Sequence, residues 1–146
     1  MVIYENGKRV VSRGITFIES SVLLIERFKK DGDELLHYYT IPGGGVEDNE
    51  TYVEAAIRET EEETSVKTKF VKYLTKEDFE TGICYWHYLE YVEGTPTLGG
   101  EESERNHPDN FYKVVLIDMK DIDNVNILGM GKQLIKECYL EYKKEK

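Results

Sequence analysis

The apolar residues of the chain alternate with polar ones in a pattern that predicts β-strands along much of its length. Residues 14–18 and 22–27 are apolar and β-branched, and the short polar segment between them predicts a hairpin. Residues 35–41 predict a further strand that ends at Pro42, where three glycines follow and interrupt regular structure.

The second half of the chain continues this pattern. Residues 67–76, 83–92 and 113–118 predict three more strands. Both faces of the segment 83–92 are largely apolar, so we expect it at the centre of a sheet with both sides covered. Its aromatic residues are expected to pack in the core, although one face could line a pocket that stacks a base. Residues 93–110 are rich in Gly, Pro, Glu and Asn and predict a long loop, which is usually functional or disordered.

Two helices are expected between these strands. Thr51 and Glu54 have the spacing of a capping box, so a helix should begin there and continue to about Thr64. A second helix is predicted within 127–142, where apolar residues recur at helical spacing. Strands interspersed with two helices predict an α/β fold, and no linker divides the chain, so residues 1–146 should form a single domain.

Composition and charge restrict the classes of partner. The chain has 40% hydrophobic and 33% charged residues, no run of apolar residues that could span a membrane, and no visible signal peptide. We therefore expect a cytoplasmic protein with no membrane partner. Its net charge of −10 argues against binding to polymeric nucleic acid. An acidic protein can still bind an anionic small molecule through bridging metal ions.

The cysteines and histidines show no spacing typical of metal ligands. Cys84 and Cys138 are therefore expected to be reduced and packed as small apolar groups. His37, His87 and His107 are expected to be packing or surface residues.

Three glutamates in the first predicted helix are the strongest candidates for chemistry. Glu59, Glu62 and Glu63 are related by steps of three and four, so their carboxylates should share one helix face. Like charges at this spacing repel one another, so these side chains are either solvated or hold cations. Hard divalent cations such as Mg²⁺ prefer oxygen ligands of this kind.

These glutamates belong to a longer constellation. The spacing of Gly44, Glu50, Arg58 and the three glutamates resembles the Nudix box over residues 44–66, and Pro42 and Gly43 before it are also typical of that family. The resemblance implies a mixed β-sheet flanked by helices, an α-β-α sandwich. It also implies hydrolysis of a nucleoside diphosphate linked to another group X, or of a nucleoside triphosphate, with release of a nucleoside monophosphate.

The same resemblance implies a metal site. Glu59, Glu62 and Glu63 look like ligands of Mg²⁺ or Mn²⁺, with the carbonyl of Gly43 as a further ligand. The cations would neutralise the phosphate charge and activate a water molecule.

Other site residues follow from the resemblance with more alternatives. Arg58 looks like the partner of Glu50, in an ion pair that orients the helix. The general base could come from the box or from the downstream loop, where Glu101, Glu102 and Glu104 are candidates and the last two are favoured. Solvated loop charge is the alternative for these glutamates.

Candidate substrate contacts lie before the helix. Arg13 and Arg27 stand at predicted strand ends and could contact phosphate or ribose, although each could equally be a surface arginine. Tyr39 and Gly44 complete this set of candidates, Gly44 because glycine lets a ligand approach the main chain.

Two positions depart from the family pattern. Thr60 stands where a bulky aliphatic residue is usual, and Ser65 stands where Gly would favour a left-handed helix end. These departures motivate one alternative, a nucleotide-sensing Nudix module without catalysis. A less favoured alternative is a prenyl diphosphate isomerase that uses Cys84. A symmetric homodimer is the default expectation for the oligomeric state, and the sequence does not indicate the group X.

Overall fold

The computed structural model describes residues 3–97, 110–127 and 129–145, and the statements below refer to these parts of the chain. The strands are β1 (Tyr4–Glu5), β2 (Lys8–Ile15), β3 (Phe17–Ile18), β4 (Ser21–Asp31), β5 (Glu34–Thr40), β6 (Gly43–Gly45), β7 (Lys67–Asp78), β8 (Gly82–Glu93) and β9 (Asn110–Asp118). The helices are α1 (Tyr52–Thr64), a 3₁₀ helix (Met119–Asn124) and α2 (Gly131–Lys144).

The strands form two sheets. The first sheet has the order β1-β2-β8-β7, with β6 also paired to β2, and it is mixed because β2 runs parallel to β8 and antiparallel to β6. The second sheet is antiparallel, with β4 between β9 on one edge and β3 and β5 on the other. The predicted mixed α/β fold is therefore confirmed, with its strands divided between two sheets.

The chain crosses from one sheet to the other at Thr16. The predicted hairpin exists between β3 and β4, where Phe17 pairs with Val22. Gly14 and Ile15, which were predicted to belong to the same strand of that hairpin, instead pair with β8 in the first sheet. The local pattern does not reveal this crossing because both segments are apolar and β-branched.

The main core lies between the two sheets and is closed by α2. It contains buried residues from all three elements: Trp86 and Tyr88 of the first sheet, Leu24 and Ile41 from the side of the second sheet, and Ile135 of α2. Leu134, Ile135 and Cys138 of α2 are buried, which confirms the predicted apolar stripe, although the helix begins only at Gly131.

Helix α1 covers the opposite face of the first sheet. A smaller apolar cluster of Val10, Val46 and Ala55 lies at this interface. Strand β8 therefore has β2 and β7 on its two edges and packed residues on both faces, as its sequence predicted.

The cysteines and the long predicted loop are the last features that the sequence singled out. Cys84 and Cys138 are buried free thiols, as expected. None of the described helices is long and apolar enough to cross a membrane. Residues 94–97 have no regular structure, while the candidate bases Glu102 and Glu104, together with Glu101 and His107, lie outside the described residues.

Candidate active site

Helix α1 begins at the predicted cap. The hydroxyl of Thr51 accepts a hydrogen bond from the N–H of Glu54 at 3.0 Å, and the Glu54 carboxylate accepts one from the N–H of Thr51 at 2.8 Å. This reciprocal pair satisfies two amides that have no partner within the helix. The box helix thus starts at a defined residue, which sets the direction of every side chain that follows.

The C-terminal end of α1 has the conformation that normally favours glycine. Ser65 lies in the left-handed region with φ 67° and ψ 16°, and its N–H donates to the carbonyl of Glu61 at 2.8 Å. The hydroxyl of Thr97 donates to the Ser65 hydroxyl at 3.0 Å. A non-glycine residue in this region costs roughly 1–2 kcal/mol, so the turn carries strain that neighbouring contacts partly offset.

Thr60 is fully buried between α1 and the first sheet. Its hydroxyl donates to the carbonyl of Ala56 at 2.7 Å, so the buried polar group is satisfied. Leu89 lies directly over Gly14, where even a Cβ atom would overlap it, and the Thr60 hydroxyl borders the same space. Thr60 therefore replaces the usual aliphatic residue without leaving an unpaired hydroxyl.

Arg58 and Glu50 form a bidentate ion pair. Arg58 Nη2 donates to Glu50 Oε1 at 2.6 Å, and Arg58 Nε donates to Glu50 Oε2 at 2.9 Å. Nη2 also donates to the carbonyl of Gly45 at 3.0 Å. Hydrogen bonding from Arg58 lowers the pKa of Glu50. This arrangement connects α1, the loop that precedes it and strand β6, which is the position the sequence predicted for the pair.

The same guanidinium contacts two of the three box carboxylates. Arg58 Nη1 donates to Glu59 Oε1 at 2.9 Å and to Glu62 Oε2 at 3.1 Å. These ion pairs offset the repulsion between neighbouring carboxylates on one helix face. Glu59 and Glu62 are therefore both held beside the Arg58 guanidinium, and Glu59 also lies against Gly44 of β6.

Strand β6 is made of glycine because both of its faces are crowded. A Cβ atom on Gly44 would stand 2.5 Å from the Cδ atom of Glu59, and one on Gly43 would overlap the side chain of Arg13. The two obstructions lie on opposite faces because successive side chains of a strand point to opposite sides. Only glycine allows the helix carboxylates and Arg13 to approach the same strand from its two sides.

One backbone edge of β6 faces the third carboxylate. The N–H of Gly14 donates to the carbonyl of Pro42, and the N–H of Val46 donates to the carbonyl of Val10, so the ladder with β2 uses alternate residues. The N–H of Gly43 points the other way and donates to Glu63 Oε1 at 2.7 Å. The same alternation directs the Gly43 carbonyl towards this edge.

The predicted ligands are close to one another but are not arranged around a common point. Within the described ranges, no three Asp, Glu, His or Cys side chains form a group that could hold a metal ion as it stands. Glu59 and Glu62 face Arg58, and Glu63 accepts from Gly43. Carboxylates with a carbonyl are the donors that Mg²⁺ prefers, so this set fits a divalent cation in chemistry once those hydrogen bonds are exchanged.

A cavity of about 230 Å³ lies between the two sheets beside Arg13. Arg13 and Trp86 line it from the first sheet, Tyr39 lines it from the second, and Phe79, which is 40% exposed, lies at the end of β7. Aromatic rings next to a guanidinium offer stacking and anion contacts in the same space. Phe79 was not predicted as a site residue from the sequence, and Trp86 was predicted mainly as a core residue.

Two predicted substrate contacts meet in this cavity. Arg13 Nη1 donates to the carbonyl of Ile41 at 2.8 Å, which holds the guanidinium beside Gly43. The Tyr39 hydroxyl donates to Glu26 Oε2 at 3.0 Å, and burial followed by this hydrogen bond raises the pKa of Tyr39. Cys84 also lines the cavity, and burial raises the pKa of its thiol to about 12.

Arg27 lies elsewhere. Its Nη2 donates to the Tyr112 hydroxyl at 2.8 Å, and its guanidinium lies over the rings of Tyr112 and Tyr38 on the second sheet. The structure thus brings together Arg13 and Tyr39 at the cavity, and Gly44 with the box carboxylates, but it does not bring Arg27 to either.

The family of the chain follows from its sequence taken as a whole. The model of the NUDIX domain matches residues 8–126, so the chain belongs to the Nudix domain family. No curated protein matches the sequence at a significant level.

Solved structures agree with this assignment. The chain is similar to a MutT NUDIX hydrolase from Burkholderia pseudomallei, with a TM-score of 0.66 and 20% identity over 89% of this chain and 96% of that one. It is similar to a NUDIX-family hydrolase from Clostridium perfringens, with a TM-score of 0.68 and 15% identity over 89% and 94% of the two chains. It is also similar to an ADP-ribose pyrophosphatase from Streptococcus suis, with a TM-score of 0.57 and 13% identity over 84% and 81%.

At these identities the solved structures support the fold alone. Together with the family match they confirm the predicted fold, and they confirm the prediction of a Nudix-type enzyme at the level of the family.

Proposed function

We propose that this protein is a hydrolase dependent on Mg²⁺ or Mn²⁺. It cleaves a phosphoanhydride bond in a nucleoside diphosphate linked to another group, or in a nucleoside triphosphate, and releases a nucleoside monophosphate. The observation that carries the proposal is the arrangement around β6, where Glu59 and Glu63 approach the glycine strand from α1 and Arg13 approaches it from the cavity. A small nucleotide partner, a cytoplasmic location and a homodimer belong to the same proposal.

The cation would be held by Glu59, Glu62, Glu63 and the carbonyl of Gly43. When bound, a divalent cation supplies neutralisation of the phosphate charge and activation of water. Arg58 has a preparatory role here because its contacts with Glu59 and Glu62 keep these carboxylates together beforehand.

The anchor of Arg58 does not depend on those contacts. Its bidentate pair with Glu50 and its bond to the Gly45 carbonyl remain when Glu59 and Glu62 turn away. The helix therefore keeps its position while its carboxylates exchange partners.

The substrate would lie across the edge of β6, with its nucleoside in the cavity. Arg13 uses one guanidinium nitrogen on the Ile41 carbonyl, and its other N–H groups can donate to a phosphate or ribose oxygen. Trp86, Phe79 and Tyr39 provide aromatic surface for a base. The general base remains a prediction, with Glu102 and Glu104 as candidates outside the described residues.

The test is a panel of nucleotides incubated with Mg²⁺, with products identified by chromatography. Glu63→Gln keeps the shape of the side chain and removes its charge, so we expect at least a ~100-fold loss of kcat/KM, equivalent to roughly 2.7 kcal/mol of transition-state stabilisation. Glu61→Gln is the matched control, since Glu61 is an exposed glutamate of the same helix.

A metal titration by calorimetry in the presence of a non-hydrolysable nucleotide analogue gives an independent readout. Mn²⁺ should bind to the wild type and to Glu61→Gln, and it should bind at least tenfold more weakly to Glu63→Gln. Metal and nucleotide binding without product from any substrate would favour the sensing module and refute hydrolysis.

A further inference from the structure

A second cavity, of about 490 Å³, lies at the other end of the first sheet from Gly82 and Phe79. The parallel pairing of β2 with β8 ends where Ile15 meets Tyr88. Beyond this point the chain enters the second sheet as β3, and β8 continues alone on that edge, so a gap opens between β3 and β8. The last turn of α2, with Tyr142 and Glu145 nearby, borders the gap.

The wall of this cavity is aromatic. The rings of Phe17 and Tyr142 stack with centroids 5.0 Å apart, and Tyr88 meets Phe17 edge-on at 6.1 Å. All three residues line the cavity. Aromatic faces carry partial negative charge and attract cations. The same cluster already shows this property, since the Lys143 ammonium lies 5.5 Å from the centroid of Tyr139, which stacks on Tyr142.

The rim of the cavity is acidic. Glu19, Glu90 and Glu145 line it, and all three are exposed. Glu90 is paired with Lys69 at 3.2 Å. Within the described residues, Glu19 and Glu145 form no ion pair. The cavity therefore combines an aromatic wall with two carboxylates that are available to a cation.

The hydroxyl of a largely buried tyrosine adds an independent indication. Tyr88 is only 2% exposed, yet its hydroxyl makes no hydrogen bond to any residue that the structure describes, and the residue lines the cavity. Burial and then the nearby Glu145 carboxylate raise the pKa of Tyr88, so the phenol remains neutral. The oxygen atom itself is not fully buried, so it can exchange a hydrogen bond with solvent or with a ligand in the cavity.

We propose that this cavity binds a small organic ammonium ion, an alkylamine whose chain packs against the rings and whose charged nitrogen contacts Glu19, Glu145 and the Tyr88 hydroxyl. A hydrated metal ion lacks the apolar body that the rings would cover, and a neutral alkyl ligand leaves the carboxylates unused. The site is separate from the glycine strand and the box helix, so this proposal is independent of the hydrolase proposal.

Calorimetric titration with spermidine, in buffer without divalent cations, tests the site. We expect binding to the wild type, and a loss of affinity of about tenfold or more in the double variant Glu19→Gln with Glu145→Gln, because charge-assisted hydrogen bonds are removed. Tyr88→Phe should weaken binding several-fold. Both substituted glutamates are exposed, so the double variant should fold normally.

Matched controls separate this site from general attraction to an acidic protein. Glu137→Gln removes an exposed carboxylate of α2 away from the cavity, and Glu61→Gln removes an exposed carboxylate of α1. Neither substitution should change the affinity for spermidine. Mg²⁺ and 1-hexanol should not displace spermidine. Absence of binding to the wild type, equal weakening by Glu137→Gln, or displacement by Mg²⁺ would each overturn the proposal.

Discussion

Buried His87 makes the stability of the protein depend on pH in a defined direction. His87 is 1% exposed, and its Nε2 lies 2.8 Å from the hydroxyl of Ser12, which itself donates to the carbonyl of Tyr52 at 2.6 Å. Ser12 can therefore only accept from His87, so Nε2 carries the hydrogen. Nδ1 is buried with no partner among the described residues. A second proton on Nδ1 would add a buried charge, and burial lowers the pKa of His87 to about 4.

The sign of the effect follows from this pKa. An unfolded histidine has a pKa of about 6.5, so acid favours the unfolded chain, which binds the proton more readily. The contribution of His87 to the free energy of unfolding is fully present above about pH 6.5 and is lost progressively as the pH falls towards about 4. For pKa values of about 4 and 6.5, linkage gives a loss of about 2 kcal/mol between pH 8 and pH 5.

Denaturant unfolding of the wild type and of His87→Gln between pH 8 and pH 5 measures this loss. Glutamine remains neutral and can still donate to Ser12, so its curve should lack the histidine contribution while sharing that of the carboxylates. The free energy of unfolding of the wild type minus that of His87→Gln should therefore decrease by about 2 kcal/mol between pH 8 and pH 5. A difference that stays constant over this range would show that His87 does not titrate as its burial requires.

Two further predictions concern the box. Gly44→Ala places a Cβ atom 2.5 Å from the Glu59 Cδ atom, so the Glu59 side chain must move. We expect the affinity for Mn²⁺, measured by calorimetry, to be about tenfold weaker, with an unchanged circular dichroism spectrum. An unchanged affinity would show that Gly44 is not required for the position of Glu59. Ser65→Gly removes the backbone strain of a left-handed serine but also removes the hydrogen bond with Thr97. We expect a net gain of up to about 1 kcal/mol in the free energy of unfolding, seen as a higher Tm. A lower Tm would mean that the hydrogen bond contributes more than the strain costs.

Helix α1, which carries the Nudix box glutamates, could be predicted from local sequence. Its start at Thr51, its end at Ser65 and the shared face of its glutamates all depend on interactions within a few residues of the chain, and the structure shows the helix as predicted. The position of β8 was also predictable because its two apolar faces require cover on both sides. The predicted hairpin was wrong at Gly14 and Ile15, since apolar alternation does not say which sheet a strand joins.

The cavity beside Arg13 could not be predicted from the sequence in the same way. Arg13 and Arg27 were both candidates because each was predicted near the end of a strand. Arg13 lies at the cavity, whereas Arg27 lies among tyrosines on the second sheet. The two arginines differ in the face of the strand on which each lies and in the strand that packs against that face. Those depend on the pairing of β2 with β6 and β8, whose residues are far away in the chain.

By itself the sequence determined the Nudix box, the helix that presents its carboxylates and the alternation of most strands, because each follows from backbone geometry over short distances. The tertiary structure alone decided that the chain crosses between sheets at Thr16, that Gly43 and Gly44 separate Arg13 from Glu59, and that a cavity opens between the sheets. These features arise when distant segments choose a register, and register is selected by the packing of the whole core rather than by any local pattern.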